Sequence, residues 1–464
     1  MTRSSVLDRR EPSSFRDNRG FVFWDAGRVY RQINEAGRAA YEQLMSGGLY
    51  EQLRKRGWLV AHDEVAGSNR AGAYKVIRPE QVEVVSYPYE WSFSQLKDAA
   101  LLTLDIAKLA FAHGMAMRDA SAYNVQFMNG RPVLIDTLSF DVAKPGEPWV
   151  AYRQFCQHFL APLAIMSRVD LDLLQLMRVH IDGIPLPLAA RLLPLRHRLN
   201  FGLATHISLH AKFQQQHQSR TERPAASVSA MAMQGLFDSL ERTVRGLSLP
   251  KTKTQWGDYY EHTNYTDAAL KAKGELVVAF LQRLKPHRVV DLGSNDGWFS
   301  RVAAKTGAMV ISSDIDPLAV ESNYQQMRRA GEKTILPMLV DLANPSPAMG
   351  WASEERQSFG ERAHSDVAMA LALIHHLAIA GNVPMEMVAD YFASLAPYLI
   401  IEFVPKEDSQ VKRLLATRED IFPDYTPEGF VAAFAKPYEV LEQRAVAGTV
   451  RTLYLMRRRE SERT

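Results

Sequence analysis

Residues Val289–Gly297 read VVDLGSNDG, a short apolar run that ends in an aspartate and leads into a glycine-containing turn. Such a run is typical of a buried parallel strand. Glycine permits the sharp backbone turn and the close approach to a ligand that this position requires. The stretch from Trp298 to Lys305 then has the pattern of a helix, whose N-terminus would place free amide groups beside the turn. The stretch therefore predicts a strand, a loop and a helix that together suit a nucleotide-like ligand.

Strands and helices alternate around this loop, which indicates an α/β fold with a doubly wound parallel sheet. The predicted strands are Arg288–Leu292, Ala308–Ser313, Ile335–Val340, Val367–Leu373 and Tyr398–Phe403. The predicted helices are Ala268–Leu284, Trp298–Lys305, Pro317–Ala330 and Met385–Leu395. A final pair of segments, Tyr438–Arg444 and Val450–Arg457, predicts a terminal antiparallel hairpin.

Two further aspartates lie, like Asp291, at the carboxyl ends of predicted strands. Asp314 lies 23 positions after Asp291, where an acidic side chain can accept hydrogen bonds from both hydroxyls of a ribose. Asp341 ends the following strand and could accept a hydrogen bond from an adenine amino group. Because the carboxyl ends of parallel strands share one edge of the sheet, these carboxylates predict a single nucleotide-like site.

Four stretches carry a resemblance to a known family. VVDLGSNDGWFS (289–300), SSDIDP (312–317), VDL (340–342) and LALIHHL (371–377) resemble successive motifs of class I, Rossmann-like, S-adenosylmethionine-dependent methyltransferases. The resemblance covers residues 255–457 and implies S-adenosylmethionine as the cofactor. The cofactor-binding residues that it implies are Asp291, Gly293, Ser294, Asn295, Gly297, Asp314, Ile315, Asp341, Leu342, Ala370 and Tyr260.

The loop departs from the family pattern at one position, because Asn295 stands where the family has its middle glycine. Asparagine tolerates left-handed backbone angles better than most residues, so we expect cofactor binding to be retained. A dehydrogenase is the main alternative, but the loop lacks the Gly-x-Gly-x-x-Gly pattern, and a terminal hairpin is typical of methyltransferases. A degenerate site that binds no cofactor is the remaining alternative.

The acceptor side of the predicted site has three candidate catalytic residues, His375, His376 and Glu402. A histidine at the end of the fourth strand could serve as the general base that removes a proton from the acceptor, or it could anchor a loop. Glu402 ends the fifth strand and could bind a cationic or hydroxylated acceptor, or cap a helix. The aromatic residues of segment 256–265, which include Tyr260, could cover the cofactor or pack in the core.

The N-terminal half contains a second pattern. Asp119 and Asn124 are separated by four residues, and Asp136 follows 12 positions later in an apolar run. These residue types suit phosphoryl transfer, in which Asp119 would orient or deprotonate a hydroxyl group. Asn124 and Asp136 would be the ligands of Mg²⁺.

This set resembles the catalytic segment of the protein kinase-like and aminoglycoside phosphotransferase-like folds, and the resemblance extends over residues 15–200. It implies ATP and Mg²⁺ as possible cofactors, Arg31 at the position of the phosphate-binding lysine and Glu42 as the partner of Arg31. Arginine is bulkier than lysine, the glycine-rich loop is poor, and Asp136 is followed by threonine and leucine without a glycine. An active phosphotransferase, a pseudokinase and a chance resemblance all remain open.

A length of 464 residues predicts several domains, and a polar stretch around residues 214–227 suggests where they meet. We predict a kinase-like domain at 1–213, with a small lobe at about 15–88 and a large lobe at about 89–213. A linker and connecting helix would occupy 214–250, and the methyltransferase domain 251–464.

The bulk composition excludes some classes of protein. One cysteine excludes a disulfide framework and a cysteine-based zinc site within one chain. A net charge of +3 gives no strong indication of nucleic-acid binding. The chain has no uncharged apolar run long enough to span a membrane and no secretory signal, so we expect a cytoplasmic protein. The oligomeric state is not determined by the sequence.

The combined prediction is an enzyme that transfers a methyl group to an oxygen or nitrogen nucleophile, with a non-catalytic kinase-like domain. The alternatives are a bifunctional kinase-methyltransferase and a non-enzymatic scaffold. The whole chain also loosely resembles rhizobial nodulation proteins and other bacterial proteins of specialised metabolism, which favours a small molecule or a saccharide as the acceptor.

Overall fold

The structure is a computed structural model that describes residues 9–66, 70–195, 200–210, 227–249, 266–416 and 418–460. The chain divides into two compact units. Unit 1 comprises Met1–Lys251 together with the short segment Ala348–Arg356, and unit 2 comprises Thr252–Pro347 and Gln357–Thr464. No helix among the described residues is both long enough and apolar enough to cross a membrane.

Unit 1 begins with a five-stranded antiparallel sheet in the order β1-β2-β3-β5-β4. The turn between β2 and β3 contains Ala26 and Gly27, both with positive φ, which is the geometry that joins twisted strands in a tight hairpin. Two helices lie between β3 and β4. The strands are β1 (Arg9–Arg10), β2 (Gly20–Asp25), β3 (Arg28–Asn34), β4 (His62–Glu64) and β5 (Ala73–Pro79), and the helices are α1 (Arg38–Ser46) and α2 (Leu49–Arg56).

The rest of unit 1 is mainly helical and starts with α3 (Phe93–Ala112), whose first turn is closed by a reciprocal cap between Ser92 and Gln95. Two short antiparallel pairs follow, β6 with β9 and β7 with β8. These strands are β6 (Met115–Met117), β7 (Val125–Met128), β8 (Arg131–Leu134) and β9 (Phe140–Val142). The later helices are α4 (Tyr152–Phe155), α5 (Ala161–Arg168), α6 (Leu176–Val179), α7 (Leu186–Leu192), α8 (Phe201–Leu203) and α9 (Ala230–Arg245).

Helix α9 lies in the region that we predicted as a linker and connecting helix, but the structure includes it in unit 1. Its apolar face is buried, and Lys108 of α3 donates to Asp238 of α9 at 2.6 Å. The helix therefore packs as part of a core rather than as an isolated connector. The remaining predicted domain boundaries stay a prediction.

Unit 2 contains a seven-stranded sheet in the order β12-β11-β10-β13-β14-β16-β15. The first five strands of that order are parallel, and β16 and β15 are antiparallel. The strands are β10 (Arg288–Leu292), β11 (Met309–Asp314), β12 (Ile335–Leu339), β13 (Val367–Ala370), β14 (Tyr398–Phe403), β15 (Tyr438–Ala445) and β16 (Thr452–Arg458). The helices are α10 (Asp267–Leu284), α11 (Trp298–Ala304), α12 (Pro317–Ala330), α13 (Phe359–Arg362), α14 (Met385–Leu395), α15 (Ser409–Leu415) and α16 (Pro427–Phe434).

The strand order of unit 2 determines where a ligand can bind. The chain runs outward from β10 through β11 to β12, and then returns to the other side of β10 with β13. The loops after β10 and β13 therefore diverge and leave a crevice at the carboxyl ends of the strands, which is where ligands bind in such sheets. The predicted doubly wound sheet and terminal hairpin are both present.

Candidate functional site

A cavity of about 290 Å³ opens at the carboxyl ends of the parallel strands of unit 2. This volume lies near the lower end of the ~300–1,000 Å³ that small-molecule sites usually have. The cavity is lined by Leu270, Lys273, Asp291, Gly293, Ser294, Asn295, Phe299, Asp314, Ile315, Val340, Asp341, Leu342, Ala343, Leu371, Ala372, Leu373, His376, Leu377 and Ala380. Eight of the predicted cofactor-binding residues are among them: Asp291, Gly293, Ser294, Asn295, Asp314, Ile315, Asp341 and Leu342.

The loop after β10 has the left-handed backbone that the sequence predicts. Gly293, Asn295 and Gly297 have φ values of 71°, 51° and 82°. A Cβ atom on Gly293 would lie 3.0 Å from a methyl group of Leu373, so glycine keeps the loop close to the opposite wall. Asn295 thus has the left-handed backbone that we expected asparagine to tolerate at the position of the family's middle glycine.

Asp291 is almost fully buried, at 1% exposure, and it lies at the base of the loop. The Ser300 hydroxyl donates to its carboxylate at 2.6 Å, and Ser300 is in turn 2.7 Å from Ser312. Loss of solvent raises the pKa of Asp291 to about 7, although the Ser300 hydrogen bond and the charge of Lys273 oppose the shift. A ligand that carries positive charge would favour the ionised form of this carboxylate.

Asp314 ends β11 and is oriented by the backbone of two loops. One carboxylate oxygen accepts the Asn295 amide at 2.7 Å, and the other accepts the Asp316 amide at 2.9 Å. Burial raises the pKa of Asp314 to about 6, and these backbone amides oppose the shift. The amides fix the carboxylate at the rim of the cavity.

The third carboxylate, Asp341, follows β12, and the Ala343 amide donates to it at 2.9 Å. Leu342 and the half-exposed Ile315 lie on the same wall. Two predicted cofactor-binding residues do not line the cavity, namely Gly297 and Ala370. A Cβ atom on Gly297 would lie 2.4 Å from Asn323, so this glycine serves the packing of the loop. Tyr260 lies outside the described residues.

The candidate catalytic residue Glu402 does not line the cavity. It is fully buried, and one of its carboxylate oxygens accepts from the Lys273 ammonium at 2.6 Å. Its other oxygen lies 3.9 Å from the Arg451 guanidinium, which Asp408 holds with contacts of 2.7 and 3.1 Å. This arrangement differs from our prediction, because Glu402 is a member of a buried charge network and has no access to an acceptor.

The two histidines also differ in position. His376 lines the cavity, and burial lowers its pKa to about 4, which keeps the imidazole neutral near pH 7. His375 is fully buried and does not line the cavity. Neither of its ring nitrogens has a hydrogen-bond partner within the described residues. Of the three candidate catalytic residues, His376 is the one that an acceptor in this cavity could reach.

Sequence reasoning missed Lys273, Phe299 and the apolar residues after β13. Lys273 has a recognisable signal, because it occupies a position on the buried face of α10 together with Val277 and Leu281. A lysine at such a position is rarely buried without a partner. The predicted strand Val367–Leu373 is three residues longer than the observed β13, which ends at Ala370. Ala372 has a φ of 52°, so residues 371–373 leave the strand and line the cavity.

Unit 1 brings together three of its five predicted residues. Arg31 contacts Asp136 at 2.6 Å, and the Ser139 hydroxyl donates to the second oxygen of Asp136 at 2.8 Å. The amide of Asn124 donates to the same Ser139 hydroxyl at 3.4 Å. Both oxygens of Asp136 therefore accept from protein donors, and the carboxylate is paired with a guanidinium. The assignment of Asn124 and Asp136 as ligands of Mg²⁺ stays a prediction.

The other two predicted residues of unit 1 have different partners. Glu42 does not pair with Arg31 as predicted, because it contacts Arg38 at 2.9 Å and accepts from the Tyr74 hydroxyl at 2.8 Å. Asp119 accepts from Gln154 at 2.8 Å and from the Ser121 amide at 3.0 Å. Within the described residues, no cluster of three or more His, Cys, Asp or Glu side chains could hold a metal ion.

Comparison with solved structures finds several methyltransferases. N-methyltransferase NodS from Bradyrhizobium japonicum WM9 is 13% identical, over 42% of this chain and 98% of that chain, with a TM-score of 0.32. Magnesium protoporphyrin IX methyltransferase (ChlM) from Synechocystis PCC 6803 with bound SAH is 19% identical, over 44% and 92% of the two chains, with a TM-score of 0.33. The bifunctional kinase-methyltransferase WbdD is 16% identical, over 43% and 42% of the two chains, with a TM-score of 0.32.

Comparison of sequences identifies a relative that matches almost the whole chain. No protein-family model matches. The nodulation protein NoeA of Rhizobium meliloti (strain 1021) is 37% identical over 462 residues, which is 97% of this chain and 96% of the relative. The match includes both units, so it covers the kinase-like pattern as well as the cavity of unit 2. The chain therefore belongs to the family of the nodulation protein NoeA.

Proposed function

We propose that unit 2 is an S-adenosylmethionine-dependent methyltransferase that acts on an oxygen or nitrogen nucleophile of a small molecule or a saccharide. One observation carries the proposal. Asp291, Asp314 and Asp341 end or follow three neighbouring parallel strands and line one cavity, together with a left-handed loop. A methionine end, a ribose and an adenine present the groups that these three carboxylates can bind, in the same order along the sheet.

The residues of the cavity fit this cofactor on two further grounds. The loop after β10 leaves room that a Cβ atom on Gly293 would reduce, which is the close approach that a bulky ligand requires. The cavity wall combines carboxylates with apolar side chains such as Leu342 and Ile315, which suit the two faces of an adenine ring. Asp314 would accept from the ribose hydroxyls, Asp341 from the adenine amino group, and Asp291 would face the amino-acid end.

Positioning accounts for most of the chemistry that the chain itself performs. When bound, S-adenosylmethionine supplies an electrophilic methyl group on a sulfonium ion. The rim of the cavity would hold the nucleophile of the acceptor in line with that group and exclude water, which converts a bimolecular encounter into an oriented one. His376 lines the cavity in its neutral form, so one nitrogen of its imidazole can accept a hydrogen bond from the nucleophile of the acceptor and orient it.

A labelling experiment tests this function. The full-length chain is incubated with methyl-labelled S-adenosylmethionine and, separately, with low-molecular-weight metabolites, saccharides, protein and RNA. We expect label in the small-molecule or saccharide fraction and loss of that label in Asp314→Asn. The matched control is Asp296→Asn, which makes the same change of charge in the neighbouring loop after β10, at a residue that does not line the cavity. Absence of binding of S-adenosylhomocysteine in calorimetry would refute the proposal.

We propose further that unit 1 has a kinase-like fold without phosphotransferase activity. The proposal of a two-lobed kinase-like domain is supported by the order of elements, because a five-stranded antiparallel sheet with helix α1 precedes a helical part that carries paired short strands. The ion pair between Arg31 and Asp136 supports the loss of catalysis, because the guanidinium occupies the carboxylate that a metal ion would need.

Thermal unfolding with nucleotide tests the state of unit 1. We expect Mg²⁺-ATP to leave the melting temperature of the full-length chain unchanged and to undergo no hydrolysis. The same two measurements are made on Arg31→Lys, which restores the residue type that kinase-like folds use at this position. ATP turnover by the wild-type chain that Asp119→Asn or Asp136→Asn abolishes would instead support the bifunctional alternative.

A further inference from the structure

Lys273 is a buried cation that the proposed mechanism does not yet use. It lies on α10 with 1% of its surface exposed, yet it lines the cavity of unit 2. Its ammonium group is 2.6 Å from Glu402 and 4.4 Å from the centre of the Phe299 ring. A buried ion pair often stabilises a protein less than apolar side chains of the same volume would. The charge of Lys273 in the cavity wall is therefore better explained by binding of a ligand than by stability.

The charges around Lys273 form a defined set. Glu402 is shared between Lys273 and Arg451, and Arg451 is itself held by both oxygens of Asp408. Glu402 therefore orients the ammonium group of Lys273, while part of its negative charge is balanced by Arg451. Desolvation lowers the pKa of Lys273, and the charge of Glu402 opposes that shift. A further anion beside the ammonium would stabilise its charged form.

Lys273 shares its cavity wall with a carboxylate. Asp291 also lines the cavity and is close enough to Lys273 for their charges to influence each other's pKa. Part of the wall thus presents one buried cation and one buried anion side by side. An α-amino acid presents the complementary pair, an ammonium group and a carboxylate on one carbon atom. The adenosine end of a cofactor has no such pair, so the two charges select the amino-acid end.

We propose that Lys273 binds the carboxylate of the amino-acid end of the cofactor and that Glu402 positions its ammonium group. The proposal rests on the function proposed above for unit 2, and it adds a residue that recognises one defined group of the cofactor. Lys273 would form a charge-assisted hydrogen bond from a buried position in the cavity wall, and such bonds are stronger than those between neutral groups. Glu402 is then a positioning residue rather than a catalytic one.

The test compares two ligands that differ only in the carboxylate, S-adenosylhomocysteine and its decarboxylated analogue. For the wild-type chain, calorimetry should show that loss of the carboxylate weakens binding by about 10- to 150-fold, the range for a hydrogen bond to a charged group. In Lys273→Met, S-adenosylhomocysteine should lose the same factor, and the analogue should bind as it does to the wild type. Lys271→Met is the matched control, because Lys271 is exposed on the same helix and does not line this cavity.

A second variant guards against misfolding. Lys273→Met leaves Glu402 buried without its nearest cation, whereas the double variant K273M/E402Q removes both charges of the pair. Equal affinity of the two ligands for the wild-type chain would overturn the proposal, and that measurement requires no variant. An equal loss of affinity for both ligands in the double variant would also overturn the proposal, because the substitution would then act on the whole site and not on recognition of the carboxylate. Failure of the wild type to bind either ligand refutes the methyltransferase function itself, which is a distinct result.

Discussion

Replacement of Asp314 by asparagine is the most direct perturbation of the proposed cofactor site. The side chain is held by the backbone amides of Asn295 and Asp316, so its position is determined by the protein and not by a ligand. Asparagine preserves the shape, removes the charge and turns an NH₂ group towards one of these two amide donors. In the proposed function, it also removes the charged acceptor for both ribose hydroxyls.

The size of the effect follows from the number of bonds. A hydrogen bond to a charged group contributes about 1.5–3 kcal/mol, so the loss of two corresponds to ~10²–10⁴-fold weaker binding. Calorimetry with S-adenosylhomocysteine at pH 8 measures this loss, and Asp296→Asn again provides the control of equal charge. The pKa of Asp314 is raised to about 6, so acidification through that value protonates the carboxylate. We therefore expect the wild-type affinity to decrease from pH 8 to pH 5 and the decrease to be smaller in Asp314→Asn.

Two results would refute this reasoning. The first is an Asp314→Asn variant that binds S-adenosylhomocysteine within about threefold of the wild type, a difference of less than 1 kcal/mol. The second is an equal loss in Asp296→Asn, because that residue lies in the neighbouring loop after β10 but not in the cavity wall. Either result would mean that the carboxylate at the end of β11 does not recognise the ribose.

Three further predictions concern unit 2. The pKa of Asp291 is raised to about 7, above its ordinary value of 3.8, so this group's contribution to stability is present below pH 4 and is lost as the pH rises through 7. Asp291→Asn should therefore stabilise unit 2 at pH 8, by about 4 kcal/mol as an upper bound, while weakening cofactor binding; identical pH profiles of melting would contradict this. Glu402→Gln removes the carboxylate that lies 2.6 Å from the Lys273 ammonium and should lower the free energy of unfolding by about 3–5 kcal/mol in urea denaturation. A change below about 1 kcal/mol would count against a buried ion pair. Asn295→Ala should destabilise the chain by about 1–2 kcal/mol because of its left-handed backbone, whereas Asn295→Gly should be tolerated; equal stability of the two variants would argue against the strained loop.

The periodic elements of unit 2 could be predicted from the sequence because each has its own local signal. The observed bounds of β10, α12, α14 and β14 equal the predicted ones. The error at β13 has a different origin, because the apolar run continues for three residues after the strand ends. Hydrophobicity does not distinguish a buried strand from an apolar cavity wall, and a positive φ at Ala372 is not expected of alanine.

The candidate site shows the same limit more sharply. Glu402 ends a parallel strand as Asp314 does, and the two positions look equivalent in the sequence. In the structure, β14 pairs on one side with the antiparallel strand β16, and Arg451, just before β16, lies against Glu402. The partner of Glu402 comes from α10, which is 129 residues earlier in the chain. Contacts at such separations carry no local signal, so the role of Glu402 could not be read from its position in a strand.

The sequence predicted ligand-binding carboxylates in both units, Asp136 in unit 1 and Asp314 in unit 2. In the structure, these two carboxylates differ in their hydrogen-bond and ion-pair partners. Asp136 faces the guanidinium of Arg31, which neutralises it within the protein and leaves a metal ion little to gain there. Asp314 accepts two backbone amides, which orient the carboxylate and supply only partial charge, so its burial remains costly and its pKa remains high. A ligand that donates hydrogen bonds can relieve that cost at Asp314, whereas at Asp136 the protein has already done so. The distribution of uncompensated burial, rather than the presence of carboxylates, therefore favours ligand binding at Asp314 over ligand binding at Asp136.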